Sequence, residues 1–192
     1  MSRWAPDAAL RLERAALELF VEQGYTATSV PEIAARAGLT TRTFFRHFSD
    51  KREVLFLRER ELPAVAAALV AGAPAFLSPL GLVMHGFEAM AAGPFEGWRE
   101  DLQARRAVVG SDPGLREREL LKNVLLADVL TAALLRHGVD RGEARLVARY
   151  AVMVFELALT DWLDTDGAAL VDVLHSTAYR MGRLVRPPRQ DE

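Results

Sequence analysis

The sequence predicts an all-α protein of about nine helices. Apolar residues recur three and four positions apart along almost the whole chain, which is the spacing of one face of a helix. Glycine, proline and short capping residues separate these stretches where helices would end and begin. Hydrophobic residues make up 51% of the 192, so the chain can bury a sizeable core.

The first predicted helix covers residues 8–23, with Leu12, Ala16 and Phe20 on one face and Gly24 after its end. Two short helices joined by a tight turn follow. Ser29 and Glu32 form a capping box at the start of the first of them, and Gly38 ends it. The second short helix covers residues 41–48, with Thr40 as its N-cap.

The helix over residues 41–48 has two unlike sides. Phe44 and Phe48 are four apart and would anchor one side, whereas the other side is cationic and rich in hydroxyl groups. The net charge of the chain is only −2, but the stretch 36–52 holds five cations and one anion. Such a helix suits insertion into the major groove of DNA. The alternative is a helical hairpin with a solvated basic face.

The remaining helices follow from the same signals. The fourth begins near Asp50 and continues to about residue 71, with a kink or break at Pro63, and residues 72–79 form a linker. Asp112 caps the seventh helix and Pro113 opens it. The predicted ranges of helices five to nine are 80–92, 95–109, 113–137, 142–163 and 167–185.

One motif connects this organisation to a known family. The spacing Ser29-Val30-x-x-Ile33-Ala34-x-x-Ala37-Gly38-Leu39-Thr40-x-x-Thr43-Phe44-Phe45-x-His47-Phe48-x-x-Lys51-x-x-Val54-Leu55 resembles the helix-turn-helix of the TetR (tetracycline-repressor-like) family. The resemblance covers roughly residues 8–57. Two positions depart from the commonest pattern, because Arg42 stands where Gly is frequent and Phe45 where Tyr is frequent. The second departure removes a hydroxyl group that could reach a phosphate.

The resemblance implies a DNA-binding transcriptional regulator, usually a repressor, which leaves a palindromic operator when a small, mostly apolar molecule binds. It implies a DNA-binding domain at residues 8–57, with helix four continuing to about 71, and a ligand-binding and dimerisation domain at residues 72–186. Helices eight and nine of two subunits would form the homodimer. The protein would be cytoplasmic in a bacterium and nucleoid-associated when bound to DNA.

Candidate DNA-binding residues lie on and around the second short helix. They are Ser29, Thr40, Thr41, Arg42, Thr43, Phe45, Arg46, His47 and Lys51. Arg42, Thr43 and Arg46 are expected to face base edges, because arginine pairs with the acceptor edge of guanine. Thr40, His47 and Lys51 are expected to bind phosphates.

Candidate ligand-binding residues combine an apolar lining with a few polar groups. They are Met84, His85, Phe87, Glu88, Trp98, Arg105, Asn123, Met153, Glu156 and Trp162. The alternatives remain open, since the methionine and aromatic residues could be ordinary core. His85 and Glu88 could lie on an outer face, and Glu156 could pair with Arg149 or border a dimer interface.

Several classes of site have no support in the sequence. The chain has no cysteine, no histidine pair at helical spacing and no phosphate-binding or nucleophile motif, so we expect no metal, cofactor or catalytic residue and no enzyme. No signal sequence or membrane span is predicted. Two alternatives remain: a DNA-binding protein that responds to no ligand, or a helical small-molecule-binding protein or enzyme.

Overall fold

The computed structural model describes residues 5–184, apart from the side chains of residues 5–7, 94 and 96, and it confirms the all-α class for that part of the chain. The α-helices are α1 (Ala5–Gln23), α2 (Val30–Arg36), α3 (Thr41–His47), α4 (Leu62–Ala71), α5 (Pro79–Ala91), α6 (Arg99–Ser111), α7 (Pro113–Arg136), α8 (Arg141–Asp164) and α9 (Leu170–Leu184). Short 3-10 helices at Arg52–Phe56 and Pro94–Trp98 precede α4 and α6.

The described chain divides into two compact units. The first unit takes the residues up to Leu62 together with Glu100–Lys122, and the second takes Pro63–Arg99 together with the residues from Asn123 onward. The first unit is therefore larger than the domain predicted at residues 8–57, since it includes most of α6 and the start of α7. Residues 185 and 186 of the second predicted domain lie outside the described residues, and the domain boundaries stay a prediction.

The core of the first unit is built from α1, α2, α3, the 3-10 helix at Arg52–Phe56, and parts of α6 and α7. Its large buried side chains include Leu12, Phe20, Ile33, Phe44, Phe48, Val54, Phe56 and Leu115. Phe44 and Phe48 belong to this core, as their spacing predicts, and their ring centroids are 5.2 Å apart. This packing fixes one side of α3 and leaves its other side outward.

The second unit is organised by α5, α8 and α9. Phe87 of α5 packs on Phe155 of α8 with ring centroids 4.7 Å apart. Trp162 near the end of α8 is fully buried, and its indole N–H donates to the Ala168 carbonyl at 3.0 Å. Arg99 donates to the Trp162 carbonyl at 2.7 Å and lies over the same indole ring. These contacts hold the turn between α8 and α9.

The predicted fourth helix, from near Asp50 to about residue 71 with a kink or break at Pro63, is broken earlier than expected. The chain forms the 3-10 helix at Arg52–Phe56, continues through turns and a bend over residues 57–61 and starts α4 at Leu62. Pro63 is thus the second residue of α4, a position where a missing N–H costs little. The break lies just before Pro63. The proline stands in the first turn of α4 and does not kink a longer helix.

Candidate nucleic-acid interface

The start of α2 is fixed by the predicted capping box. The Ser29 backbone N–H donates to Glu32 Oε2 at 2.7 Å, and the Glu32 N–H donates back to Ser29 Oγ at 3.4 Å. The hydrogen bonds from Ser29 also hold the pKa of Glu32 below its usual value. Gly38 ends the segment with φ of +65°, a conformation that glycine adopts without steric cost. The turn before α3 is therefore specified locally by sequence.

The outward side of α3 carries the predicted DNA-binding side chains. Thr40 caps the helix by accepting a hydrogen bond from the Thr43 N–H at 3.2 Å. Phe44 is fully buried beneath the helix. Arg42, Phe45 and Arg46 are exposed, whereas Thr41, Thr43 and His47 are partly exposed. No acidic residue occurs within α3. The structure thus brings these candidates together on one surface.

The five cations of the stretch 36–52 differ in their partners. Arg36 pairs with Glu22 at 2.7 Å and lies 3.5 Å from Glu18, and Arg52 pairs with Asp50 at 3.0 Å. By contrast, Arg42 and Arg46 have no carboxylate partner within the described part of the chain. The positive charge that remains available to an anionic partner is therefore concentrated on α3.

Lys51 has a structural role as well as its predicted phosphate contact. Its Nζ donates to the carbonyl oxygens of Tyr25 and Thr28, both at 2.7 Å, and lies over the Tyr25 ring. Partial burial lowers its pKa. These bonds tie the loop between α1 and α2 to the segment after α3. Because an ammonium group has three donors, one N–H remains for a phosphate.

His47 is placed at the end of α3 among positive charges. Burial, followed by the charges of Arg46 and Arg60, lowers the pKa of the imidazole below its usual value. These surroundings favour the neutral form of the imidazole in the free protein.

Arg60 is a candidate that the sequence pattern did not indicate. Its Nη1 donates to the His47 carbonyl at 3.1 Å, and its guanidinium lies 5.0 Å from the centre of the Phe48 ring. The side chain is exposed at the C-terminal end of α3. Arg60 lies beyond the recognisable motif and between two glutamates, Glu59 and Glu61, so the sequence offered no signal that would have singled it out.

The predicted ligand-binding residues have mixed environments. Met84, Phe87 and Trp162 are buried, whereas His85, Met153 and Glu156 are exposed. Glu88 bonds to His175 of α9 at 2.9 Å. Trp98 and Asn123 are partly exposed. The buried members lie within the packing of the second unit.

Arg105 belongs to the first unit, whereas the other ligand candidates belong to the second. Its guanidinium is within 3.0 Å of Glu59 and 2.6 Å of Glu119, and its Nε donates to the Leu55 carbonyl at 2.9 Å. Lys122 adds a second cation, 2.7 Å from Glu119 and 3.2 Å from Glu59. We name Glu59, Arg105, Glu119 and Lys122 the Arg105 cluster. It joins α6 and α7 to the segment that follows α3.

Neither a metal site nor a membrane-spanning helix is found in the part of the chain that the structure describes. No group of three or more metal-ligating side chains occurs among the side chains that the structure describes. Of the helices described, none is both long enough and apolar enough to cross a membrane.

Comparisons with known proteins agree on one family. Residues 13–57 match the bacterial regulatory proteins of the tetR family. The HTH-type transcriptional regulator TcmR of Streptomyces glaucescens is 32% identical, and the match covers 83% of this chain and 76% of that protein.

Solved structures share the fold. One is Thermus thermophilus FadR, a TetR-family transcriptional repressor in complex with lauroyl-CoA. It is 25% identical with a TM-score of 0.55, and 96% of this chain and 99% of that chain are covered. Another is a TetR-family regulator from Syntrophomonas wolfei, at 15% identity and a TM-score of 0.63, with 97% and 99% covered.

Proposed function

The chain belongs to the TetR family of bacterial regulatory proteins, and we propose that this ligand-responsive DNA-binding regulator is a dimeric repressor of a palindromic operator. The observation that carries the DNA-binding part is the α3 surface, where Arg42 and Arg46 are exposed without carboxylate partners. Two copies of such a helix, related by a two-fold axis, would read two half-sites about one helical turn of DNA apart. The proposal gives the chain no enzymatic role and places it in the bacterial cytoplasm.

Individual side chains have separate roles in this proposal. Arg42, Thr43 and Arg46 read base edges, and Thr40, Thr41, His47 and Lys51 bind the phosphate backbone. Ser29 positions the start of α2 instead, because its backbone N–H and its hydroxyl group both donate to Glu32. Arg60 extends the basic surface beyond the end of α3 and adds a phosphate contact, because it is exposed next to His47 and its carboxylate neighbour, Glu53, is 3.9 Å away, at the outer limit of an ion pair. Base contacts determine the sequence and phosphate contacts determine register and affinity.

Binding to selected DNA tests the first part. We would select duplexes from a random pool and measure affinities by fluorescence anisotropy. Arg42→Ala and Arg46→Ala should each cost about 1–3 kcal/mol on the selected sequence and relax its preference over scrambled DNA. Arg136→Ala, an exposed arginine of the second unit, is the matched control and should bind as the wild type does. Wild-type affinity in both α3 variants would contradict the assignment.

We propose that the effector is a small molecule with a large apolar part that binds the second unit. Support comes from the lauroyl-CoA in the T. thermophilus FadR structure and from the methionine and aromatic side chains of α5 and α8. Met84, Phe87 and Trp162, which are buried in the second unit, would provide apolar contacts. His85, Trp98, Asn123 and Glu156 would orient the ligand, whereas Glu88 is already held by His175. Arg105 does not enter this site, because two carboxylates already hold its guanidinium.

A ligand panel tests the second part. The panel contains lauroyl-CoA, lipophilic acids, lipophilic cations and neutral aromatics, and the readouts are melting temperature and release of the selected duplex. An effector should raise the melting temperature and weaken DNA binding by about 5- to 150-fold, because it can act only through a preference for the non-binding state. No effect with any compound would favour the DNA-binding protein that responds to no ligand.

A further inference from the structure

Phe45 is an exposed aromatic residue on the proposed DNA-reading surface. Its side chain is 55% exposed, whereas Phe44 is fully buried and Phe48 is 1% exposed. The Phe45 ring meets the Phe44 ring edge-on, with centroids 5.5 Å apart. Because Phe44 is fixed in the core, the Phe45 ring is held in a defined position on the outer side of α3.

The neighbours of this ring are cationic. Phe45 stands three residues after Arg42 and directly before Arg46, and both arginines are exposed. Positions 42, 45 and 46 lie on one face of a helix by their spacing. An apolar ring between two cations fits poorly on an apolar partner surface, since docking there would desolvate both charges. It fits a surface that is strongly anionic and has local apolar groups.

The major groove of DNA is such a surface. Its base edges present hydrogen-bond donors and acceptors and one apolar group, the C5-methyl group of thymine. A phenyl ring has no donor or acceptor, so it cannot bind a phosphate or a polar base edge as a tyrosine hydroxyl could. The methyl group is therefore the feature of a base edge that Phe45 can recognise.

We infer that Phe45 is a specificity-determining residue that contacts the C5-methyl group of a thymine, next to the base pairs read by Arg42 and Arg46. The inference rests on the proposed function, because it requires α3 to enter the major groove. It adds a base preference that neither arginine can supply, since arginine favours guanine.

Replacement of single thymines by deoxyuridine tests the inference, because it removes the methyl group and leaves base pairing intact. The wild-type protein would be titrated by fluorescence anisotropy against the selected duplex and against duplexes with one deoxyuridine each. One position in a half-site should bind about fourfold more weakly, the factor expected for loss of one buried methyl group at about 0.8 kcal/mol. Thymines outside the half-sites should show no change.

The same titrations with variants identify the side chain. Phe45→Ala should bind all duplexes more weakly and lose the difference between thymine and deoxyuridine at that position. Phe45→Leu, which keeps an apolar side chain, should retain part of it. Phe76→Ala removes an 86% exposed phenylalanine of the second unit and should keep the wild-type profile. Far-ultraviolet circular dichroism melts would confirm that all variants fold.

The outcomes separate this inference from the proposed function. If the protein selects a sequence but no deoxyuridine weakens binding, or the half-site has no thymine, the inference is wrong and DNA binding stands. If Phe45→Ala keeps the deoxyuridine effect, another side chain reads the methyl group and the inference is also wrong. Failure to select any sequence would overturn the proposed function and this inference together.

Discussion

At the scale of single residues, Lys51 shows how one side chain can serve folding and binding. Its ammonium group bonds to the Tyr25 and Thr28 carbonyls, and a hydrogen bond to a charged group contributes about 1.5–3 kcal/mol. We expect Lys51→Ala to lower the melting temperature. If the third N–H also binds a phosphate, the slope of log affinity against log salt should fall by about 0.9. Anisotropy titrations at several salt concentrations measure that slope.

The control for this measurement is Arg52→Ala, because Arg52 is exposed and pairs with Asp50 instead of joining two loops. Its melting temperature should stay near that of the wild type, since exposed pairs contribute little. A lower melting temperature for Lys51→Ala with an unchanged salt slope would show that Lys51 acts only within the fold.

Two carboxylates of the first unit should respond oppositely to pH. Burial raises the pKa of Glu13, although Arg58 lies 2.9 Å away. Burial would also raise the pKa of Glu119, but Arg105 and Lys122 outweigh it and lower that pKa. A raised pKa gives stability that is full below about 4.5 and is lost as the pH rises through the folded value. A lowered pKa gives stability that is full above about 4.5 and is lost as the pH falls.

Urea unfolding of the wild type, Glu13→Gln and Glu119→Gln would measure how the free energy of unfolding depends on pH. The measurements would run from pH 3.5 to pH 7, which is from about one unit below to more than two units above the usual pKa of glutamate. The wild type should lose its advantage over Glu119→Gln as the pH falls below about 4.5. It should lose its advantage over Glu13→Gln as the pH rises above that value. Parallel pH profiles for the two variants would contradict these assignments.

At the scale of elements, local signals specify helix ends where the stabilising group is close in sequence. The Ser29–Glu32 capping box, the Thr40 cap and the Asp112 cap all form as predicted. The break at residues 57–61 has no glycine or proline to mark it. It coincides with distant contacts, since Arg58 pairs with Glu13 and Arg60 donates to the His47 carbonyl. Periodicity contains no information about partners so far away in sequence.

The candidate site divides in the same way. The outward face of α3 could be predicted, because Phe44 and Phe48 determine which side of a short helix is buried. The sequence could not show which of the ligand candidates are available to a ligand and which are held by other side chains. Arg105 is held by Glu59 and Glu119, and Glu88 by His175, which lies 87 positions further along the chain. Such pairings decide whether a polar side chain is available to a ligand.

The cap of α8 gives a prediction for one element. Asp140 Oδ1 accepts hydrogen bonds from the Gly142 and Glu143 N–H groups at 2.7 and 3.3 Å. Asp140→Ala should lower the free energy of unfolding by about 1 kcal/mol, because two donors at the helix start lose their acceptor. Asp140→Ser is the matched control, since serine is also a good N-cap. Equal stability of the wild type and Asp140→Ala in urea would show that the cap contributes nothing.

At the scale of the whole molecule, α8 and α9 expose several large apolar side chains to solvent in the single chain. Leu146, Met153 and Leu157 of α8 are 73%, 40% and 41% exposed, and Tyr179 and Leu184 of α9 are 69% and 78% exposed. On α8 these residues recur at intervals of seven and four, which places them on one face. Contact with a second copy would remove this surface from water and supports the proposed dimer.

A substitution at Gly182 of α9 can test that dimer without disturbing the fold of the single subunit. A Cβ atom built at Gly182 meets no atom within 4 Å. Glutamate is also a better helix former than glycine. Gly182→Glu should therefore fold with full helical content but place a charge where a second α9 would approach. We expect it to sediment as a monomer and to bind the palindromic duplex more weakly, because one half-site would be lost.

A matched variant is Val65→Arg on α4, which places a charge at an exposed apolar position outside α8 and α9. It should sediment as the wild type does and keep wild-type DNA affinity. Sedimentation velocity at several concentrations, paired with anisotropy, would separate the possibilities. If Gly182→Glu remains a dimer with wild-type affinity, the two copies do not meet at this part of α9. If the wild type is itself a monomer that binds a single half-site, the exposed apolar faces require another partner.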